Sequence, residues 1–355
     1  MKLFIIKITI AVVAFSTVFL FLQRLLVPKY ATFALEGNLI HEYYNSPMNQ
    51  DLIMLGDCEV YANFSTIALW EEFGITSFIR GSPNQLVWQS YYLLEDTLRF
   101  AGSKPQVVVF NIMAMQYGEP ENEAYNRLTL DGMRWSPTKI RAIAASQTPD
   151  EDWLSYFFPF FRFKENWQYL DSEDFRYFFR NPQVSVNGFM VRSDVVPVGF
   201  IPDPLRLHNF EFSDKSMYYL ERMVRLTEEH DIRLVLIKAP NLFPYWHTEW
   251  DEQIIAFAEE FDLPYINFLN YEEKIGLDWD KHSFNAGLHL NVFGARLMSH
   301  HFGAILQEDF NLPDRRTQPD TAAYWNVAAE QYHRLIEVQQ YELAQYGAIS
   351  TFLIS

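Results

Sequence analysis

The sequence contains a single cysteine, Cys58, so no disulfide can form within the chain. Cations are also scarce: 28 Lys and Arg residues face 45 Asp and Glu residues, which gives a formal net charge of −17. Nucleic-acid binding depends on clustered cations, and this composition therefore argues against it. The sequence also lacks a glycine-rich phosphate loop and the ligand spacing of a zinc site. We therefore predict neither a cofactor nor a metal.

The N-terminus carries an apolar run, Ile8 to Leu22, with lysines before it and Arg24 after it. The run is about 15 residues long, and it reaches roughly 20 if Lys7 extends toward the lipid headgroups. Because no small-residue cleavage site closes the run, we predict an uncleaved anchor over residues 1–30 rather than a cleaved signal. The cations on its N-terminal side predict a single-pass protein of the cell membrane whose main domain is extracytoplasmic. A secreted soluble esterase is the alternative.

After the anchor, short apolar runs alternate with helical patterns. The predicted strands are 51–55, 75–79, 106–111, 232–238 and 264–268. The predicted helices are 65–73, 84–100, 214–230, 252–261 and 292–307. This alternation predicts an α/β fold with a three-layer α/β/α, flavodoxin-like parallel sheet, and parallel sheets of this kind bind ligands at the carboxyl ends of their strands.

Two segments interrupt the alternation. Residues 113–213 are too long for an ordinary connection and predict an inserted subdomain. Its aromatic residues either pack against the sheet or form a lid, or a surface that faces glycan or membrane. Residues 317–355 predict a helical C-terminal tail, which either docks a partner or covers the domain. The predicted α/β domain therefore spans residues 31–316.

Cys58 lies in a turn that directly follows the first predicted strand. A glycine turn between a strand and a helix can present a reactive side chain above the sheet edge, next to backbone N–H groups that face a developing oxyanion. We expect Asp57 to cap this turn and Glu59 to pair with a cation such as Arg80 or Arg127.

His289 lies in the loop before the last predicted helix. Its ordinary pKa near neutrality would let it take a proton from a thiol and return that proton to a leaving group. A nearby Asn or Asp could fix the tautomer through the other ring nitrogen. Taken alone, a single histidine in this position more often has a structural role.

Four features together resemble one family. Gly56-Asp57-Cys58-Glu59 resembles the first motif of the SGNH (GDSL-like) hydrolase superfamily, with cysteine in place of the serine nucleophile. Gly81 resembles the glycine of the second motif, Asn111 the asparagine of the third, and His289 the catalytic histidine of the last. They occur in the family order, and the resemblance covers most of residues 50–316. It is nearest to a membrane-anchored clostridial-type branch similar to the teichoic acid D-alanylation protein DltD.

The chain departs from the family pattern beside the histidine. The aspartate normally found three residues before it is replaced by Ala286, and Asn285 is the nearest side chain that could orient the ring. Cysteine proteases also use a Cys-His-Asn arrangement. The predicted catalytic group is therefore Cys58, His289 and Asn285. Two upstream alternatives to Asn285 are Asp278 and Asp280.

The resemblance implies a membrane-anchored, extracytoplasmic acyl hydrolase or acyltransferase that acts on esters of a cell-surface polymer or glycan. It implies oxyanion and substrate-binding roles for Gly81 and Asn111, with Asp57 beside them. It also implies a membrane-bound O-acyltransferase as a partner. Whether the chain is an enzyme stays open, because a catalytically silent anchored scaffold would carry the same fold. Such a scaffold would assist the acyltransferase in modifying the cell envelope.

Overall fold

The computed structural model describes residues 1–27, 38–179, 182–204 and 206–354. The end of the predicted anchor at 28–30 and the start of the predicted α/β domain at 31–37 lie outside the described residues. The strands are β1 (Leu52–Gly56), β2 (Ser77–Gly81), β3 (Val107–Asn111), β4 (Arg233–Lys238) and β5 (Tyr265–Asn267). The helices are α1 (Lys2–Leu26), α2 (Leu39–Glu42), α3 (Cys58–Asn63), α4 (Thr66–Phe73), α5 (Val87–Phe100), α6 (Glu123–Leu130), α7 (Pro137–Ser146), α8 (Trp153–Phe157), α9 (Phe160–Phe163), α10 (Ser172–Arg176), α11 (Asp214–Glu228), α12 (Thr248–Glu260), α13 (Glu272–Ile275), α14 (Trp279–His282), α15 (Val292–Glu308) and α16 (Pro319–Tyr346).

The strands form one parallel sheet in the order β2-β1-β3-β4-β5. β2 lies on one side of β1, and β3, β4 and β5 lie on the other. The order in which successive strands are placed across the sheet therefore reverses between β1 and β3. Doubly wound sheets of this order bind ligands at that reversal, beyond the carboxyl ends of the strands. The predicted α/β class with a flavodoxin-like parallel sheet is confirmed.

Both faces of the sheet are apolar and covered by helices. Met54, Val109 and Ile237 pack on the face of α3, α4, α15 and α16. The alternate strand residues, such as Leu55 and Phe110, pack on the face of α5, α11 and α12. Burial on both faces is why these strands are continuous apolar runs in the sequence. Truncating Ile237 to alanine would cost about 2–5 kcal/mol, because it leaves a cavity in a fully buried layer.

Side-chain caps set the ends of the helices that flank the site. Ser65 precedes α4, and its hydroxyl accepts a hydrogen bond from the Ala68 N–H. The same helix ends at Gly74, whose φ of +69° is the left-handed conformation that glycine adopts most readily. Asn291 caps α15 by accepting from the N–H groups of the second and third helical residues.

The second strand begins two residues later than the sequence predicts. Ile75 still belongs to the turn that ends α4, because its N–H donates to the Leu69 carbonyl. Pairing with β1 starts at Ser77 and continues to Gly81. This shift brings Gly81 to the end of the strand, at the edge where β1 and β3 also end.

Residues 112–213, between β3 and α11, contain short helices and no strand among the described residues. Part of this segment belongs to the main core: Val186 and Phe189 are buried against the α3 and α4 face. Backbone hydrogen bonds hold this stretch, because the Ile79 N–H donates to the Asn187 carbonyl and the Met190 N–H to the Tyr61 carbonyl. The aromatic segment around α8 and α9 is more exposed.

The two terminal helices differ in environment. α16 covers the core, with Trp325 stacked on Trp70 at 5.4 Å between ring centroids and Tyr332 buried. α1 is long and apolar enough to span a membrane, by length and composition, and most of it contacts nothing else in the described chain. The contacts begin at Phe19, whose ring lies 5.6 Å from that of Phe160, and in the last turn Leu25 and Leu26 are buried.

Candidate active site

The carboxyl ends of β1, β2 and β3 bring one residue from each of the first three predicted motifs into one row. Gly56 pairs with Gly81, and Asn111 lies on the other side of Gly56. A Cβ on Gly56 would lie 2.8 Å from the Asn111 Cβ, and a Cβ on Gly81 would lie 2.8 Å from Cγ2 of Val60. Gly56 also has a φ of +146°, which disfavours any side chain. The two glycines let the turn and α3 approach the sheet closely.

Cys58 is the first residue of α3 and directly follows this turn. Asp57 caps the helix, because its Oδ1 accepts a hydrogen bond from the Glu59 N–H at 3.2 Å. The predicted capping role of Asp57 is thereby confirmed. The Cys58 side chain is half-buried, packs at the border of the core and forms no disulfide. The fold therefore presents the thiol at the edge of the sheet where α/β proteins bind ligands.

The Asp57 carboxylate is buried and bonded on both oxygens. Oδ1 accepts from Nδ2 of Asn111 at 3.1 Å, and Oδ2 accepts from the Tyr117 hydroxyl at 3.4 Å. The pKa of Asp57 is raised to about 7, chiefly by burial and also by the charge of Glu59, while the Lys238 ammonium acts in the opposite direction. Asp57 can thus exchange a proton near neutral pH, one residue from the thiol.

Glu59 forms a buried ion pair with Lys238, the last residue of β4. The ammonium lies 2.9 Å from each carboxylate oxygen, and both side chains are almost fully buried. The expected pairing of Glu59 with a cation is confirmed, but the cation is Lys238 rather than Arg80 or Arg127. Arg80 pairs with Asp96, and Arg127 pairs with Glu123, each at 2.8 Å. β4 ends beside β3, so the sheet brings Lys238 to Glu59 from a distant part of the sequence.

Asn111 is held by bonds on every polar atom of its side chain. Nδ2 donates to Asp57 and, at 2.9 Å, to Oε2 of Glu59, while Oδ1 accepts from the Ala239 N–H at 3.1 Å. Both hydrogens of the amide therefore point at carboxylates. The predicted oxyanion donor lies at the site, but in this arrangement it stabilises the buried acids.

Asn63, at the end of α3, ties this helix to the two loops that complete the site. Nδ2 donates to the Pro240 carbonyl at 2.8 Å, and Oδ1 accepts from the Leu290 N–H at 2.9 Å. α3 has six residues, a length of about 9 Å. The residue after His289 is therefore fixed to the same short helix that begins with Cys58.

Asn285 contacts His289 through both atoms of its amide group. Its Oδ1 accepts from the backbone N–H of His289 at 2.6 Å, and its Nδ2 lies 2.6 Å from Nδ1 of the imidazole. Phe284 stacks on the ring, with 5.7 Å between centroids. The other ring nitrogen, Nε2, is buried and has no hydrogen-bond partner among the described residues.

This contact fixes the tautomer of His289. The backbone N–H can only donate, so the amide oxygen must face it and the amide NH₂ must face Nδ1. Nδ1 is then an acceptor, and the neutral ring carries its proton on Nε2. Burial lowers the pKa of His289 to about 4, the Glu59 charge opposes this shift, and the Lys238 charge reinforces it. At neutral pH the resting ring is a neutral hydrogen-bond donor through Nε2.

The alternative orienting residues have other partners. Asp278 caps α14 and pairs with Lys281 at 2.6 Å. Oδ1 of Asp280 accepts from the Val198 N–H at 2.9 Å. Ala286 adopts a left-handed conformation with a φ of +60° and donates its N–H to the Val196 carbonyl. Of the candidates from the sequence, Asn285 is the one that contacts the ring.

The fold adds to the site several polar residues that were not predicted from the sequence. Lys238 is the clearest, because a lysine that ends a buried apolar strand needs a partner at the sheet edge. Asn241 follows it, with Nδ2 bonded to Glu59 and a buried Oδ1 that has no partner among the described residues. Asn63 and Tyr117 carry no comparable sequence signal. Their roles depend on contacts that only the folded chain creates.

Two clefts on the surface lie away from this edge. One, of about 1080 Å³, lies between α4 and α16 and is lined by charged residues such as Glu71, Arg296 and His333. The other, of about 980 Å³, includes Glu42, Tyr177 and Tyr324. Neither includes Cys58 or His289. The buried polar network, rather than the volume of a cleft, marks the candidate site.

The fold and site define an α/β protein with a flavodoxin-like parallel sheet and a thiol, an imidazole and a buried acid network at its carboxyl edge. No protein-family model matches the sequence, and no curated protein matches it. The chain is similar to the crystal structure of a candidate acylhydrolase from Bacteroides fragilis, with 11% identity, a TM-score of 0.36, and 76% of this chain and 94% of that chain covered. It is also similar to a GDSL-like lipase from Bacteroides thetaiotaomicron, with 12% identity, a TM-score of 0.34, and 77% and 99% covered. These likenesses are too weak to assign an activity.

Proposed function

We propose that this protein is a membrane-anchored, extracytoplasmic SGNH-like acyl hydrolase or acyltransferase that uses Cys58, His289 and Asn285. α1 would anchor it, and its substrates would be esters of a cell-surface polymer or glycan. By resemblance to the DltD-like branch, a membrane-bound O-acyltransferase would supply or receive the acyl group. The proposal includes no metal and no cofactor.

One observation carries the proposal. Asn285 holds the His289 ring so that Nε2 is buried without a partner among the described residues, in a loop that Asn63 ties to the helix beginning with Cys58. A buried polar atom without a partner costs about 1–3 kcal/mol, and such atoms cluster at functional sites. Proton transfer between a thiol and a substrate would use that atom.

The reaction would proceed in two acyl-transfer steps. The Cys58 sulfur attacks the ester carbonyl carbon, its proton passes to Nε2 of His289, and the oxyanion accepts bonds from the backbone N–H groups of Cys58 and Gly81. The C–O bond then breaks, and the imidazolium returns the proton to the departing alcohol. Water or a glycan hydroxyl attacks the thioester by the same route and releases Cys58.

The resting tautomer requires one adjustment before the first step. Nε2 can accept a proton only when Nδ1 carries the hydrogen, which requires the Asn285 amide to turn over so that Oδ1 faces Nδ1. The His289 backbone N–H would then lose its acceptor, at a cost of about 1–3 kcal/mol. We therefore expect turnover to be slower by roughly 10- to 100-fold than in a site that holds the active tautomer.

A second candidate function is favoured by the same tautomer. With Nε2–H as a fixed donor and the Asn111 amide bonded to two carboxylates, the site could bind a carbonyl or hydroxyl group without turnover. The protein would then be an anchored scaffold that presents a surface polymer to an acyltransferase.

Hydrolysis of an activated acetyl ester by the full-length protein in detergent separates the two functions. The enzyme proposal predicts turnover that is lost in Cys58→Ala and greatly reduced in His289→Gln. His300→Gln is the matched control, because His300 is an exposed histidine on α15 that pairs with Glu72. No turnover in folded wild-type protein would favour the scaffold. Turnover at the same rate in Cys58→Ala would overturn the assignment of Cys58 as the nucleophile.

A further inference from the structure

The aromatic segment after α7 contacts the C-terminal part of α1. Phe19 of α1 contacts Phe158 and Phe160, with centroid distances of 6.0 and 5.6 Å, and Phe21 contacts Phe178 at 4.7 Å. Polar bonds lock this junction: Nε of Arg24 donates to the Phe178 carbonyl at 2.7 Å, and Nδ2 of Asn166 donates to the Leu26 carbonyl at 3.0 Å. The segment is therefore fixed to the helix.

The same segment also carries large apolar side chains that are exposed. We define the aromatic collar as Phe158, Phe161, Trp167, Phe175 and Phe179. Their exposures run from 42% for Phe158 to 92% for Phe179. Ring contacts connect the collar to α1, because Phe158 touches Phe161 and Phe178 touches Phe179. Several exposed large apolar side chains within one segment, as here, mark an interaction site.

We propose that the aromatic collar inserts into the outer interface of the lipid bilayer, so that the protein is held by a membrane-embedded surface as well as by α1. This inference rests on the proposed membrane anchoring by α1, and not on catalysis by Cys58.

The position of the collar along α1 carries the inference. α1 has 25 residues, a length of about 37 Å, which exceeds the roughly 30 Å of bilayer hydrocarbon. Phe19 precedes Arg24 by five residues, which is about 7.5 Å along the helix axis. If Arg24 lies at the headgroups, the rings that touch Phe19 lie below that level. Interfacial elements are buried about 5–10 Å into this boundary.

The composition around the collar fits that location. Aromatic residues, tryptophan among them, concentrate at membrane interfaces, and lysine and arginine side chains reach from there to the headgroups. The segment carries Arg162, Lys164 and Arg176 among its exposed rings. Moving each of these large apolar side chains from water into the apolar part of the bilayer would stabilise the bound protein by about 1.5–3 kcal/mol.

The single native cysteine makes a direct test simple. In a full-length Cys58→Ser background, one cysteine is introduced at a time at Phe161, Phe179, Phe15 or Tyr341, and a nitroxide label is attached to it. Phe15 reports α1, whereas Tyr341 is an exposed residue of α16, far along the chain from the collar. The protein is reconstituted into phosphatidylcholine and phosphatidylglycerol vesicles. The relative access of oxygen and a water-soluble nickel complex to each label is then measured.

The proposal predicts a several-fold higher ratio of oxygen to nickel access at positions 15, 161 and 179 than at 341. The label at 15 could be embedded in the membrane while the labels at 161 and 179 are as accessible to nickel as the label at 341. That result would refute insertion of the collar and leave the proposed anchor intact. The collar would then be a surface for another protein. An aqueous label at 15 would overturn both. Neither result bears on acyl transfer by Cys58, which the ester assay tests separately.

A second measurement does not depend on labelled variants. Lipids brominated near the headgroup should quench the tryptophan fluorescence of the wild-type protein in vesicles. The quenched fraction should fall in Trp167→Phe, which keeps the aromatic surface. Trp135→Phe is a matched control, because Trp135 is an exposed tryptophan outside the collar that stacks on Phe157. Equal quenching in wild-type and Trp167→Phe protein would contradict insertion of the collar at that residue.

Discussion

Asn285 donates from Nδ2 to Nδ1 of His289 and accepts the His289 backbone N–H on Oδ1, each at 2.6 Å. An amide in this orientation makes the imidazole a donor through Nε2. A carboxylate in the same place would accept from both groups and would favour the opposite tautomer. An asparagine rather than an aspartate beside the ring thus sets the proton chemistry of the site as well as its charge.

We therefore predict that Asn285→Asp activates the site. Both carboxylate oxygens accept hydrogen bonds, so Nδ1 must carry the ring proton and Nε2 becomes the acceptor. The added negative charge should also raise the pKa of His289 from about 4. We expect ester hydrolysis to rise by roughly 10-fold or more, in line with the cost assigned to the resting tautomer. Nitrogen chemical shifts of histidine-labelled protein report the tautomer directly, and a slower Asn285→Asp enzyme with an Nδ1–H ring would contradict the account.

Much of this candidate site could be predicted from the sequence, because short local segments position several of its residues. The turn at Cys58, the end of β3 at Asn111 and the loop of Asn285 and His289 each follow from a short segment whose pattern sets its own structure. The partner of Glu59 does not follow in this way. Lys238 is 179 residues away and reaches Glu59 only because β4 ends two strands from β1, beside β3. The orientation of the Asn285 amide likewise depends on a backbone N–H whose direction the sequence alone does not specify.

The Glu59–Lys238 pair gives a second prediction. Lys238→Met should destabilise the protein by about 3–5 kcal/mol, because it leaves a buried carboxylate without its cation. The double variant Glu59→Gln with Lys238→Met should recover most of that loss. Lys281→Met is the matched control, since Lys281 forms an exposed pair with Asp278, and its removal should leave the stability almost unchanged. Thermal unfolding of the full-length protein in detergent measures these changes, and additive losses in the double variant would contradict the pairing.

A third prediction concerns pH. Folding raises the pKa of Asp57 from 3.8 to about 7, so the folded state favours the protonated acid. This contribution to stability is present in full below pH 3.8 and is lost as the pH rises through 7. Asp57→Asn keeps an oxygen for the Glu59 and Asn111 bonds and removes the buried charge. We expect this variant to have a higher melting temperature than wild-type protein at pH 8. The difference in melting temperature should shrink as the pH falls toward 4. A difference in melting temperature that grows as the pH falls would refute the raised pKa of Asp57.

The fourth prediction concerns the tie between α3 and the histidine loop. Asn63→Ala removes the bonds to Pro240 and Leu290 and leaves a buried carbonyl and a buried N–H without partners. The expected loss of stability is about 2–4 kcal/mol. Hydrogen exchange followed by mass spectrometry should show faster exchange in a peptide covering 285–292, with little change in the α11 peptide. Unchanged protection around Leu290 would show that Asn63 does not hold this loop.

The most direct test of the central claim is the intact mass of the full-length protein after brief exposure to an acyl thioester donor. The account predicts a single acyl group on Cys58, which hydroxylamine removes and Cys58→Ala abolishes. The adduct should form more slowly in His289→Gln and at the wild-type rate in His300→Gln. Folded wild-type protein that acquires no acyl group on Cys58, or acquires it equally fast without His289, would contradict a Cys58–His289 acyl-transfer site.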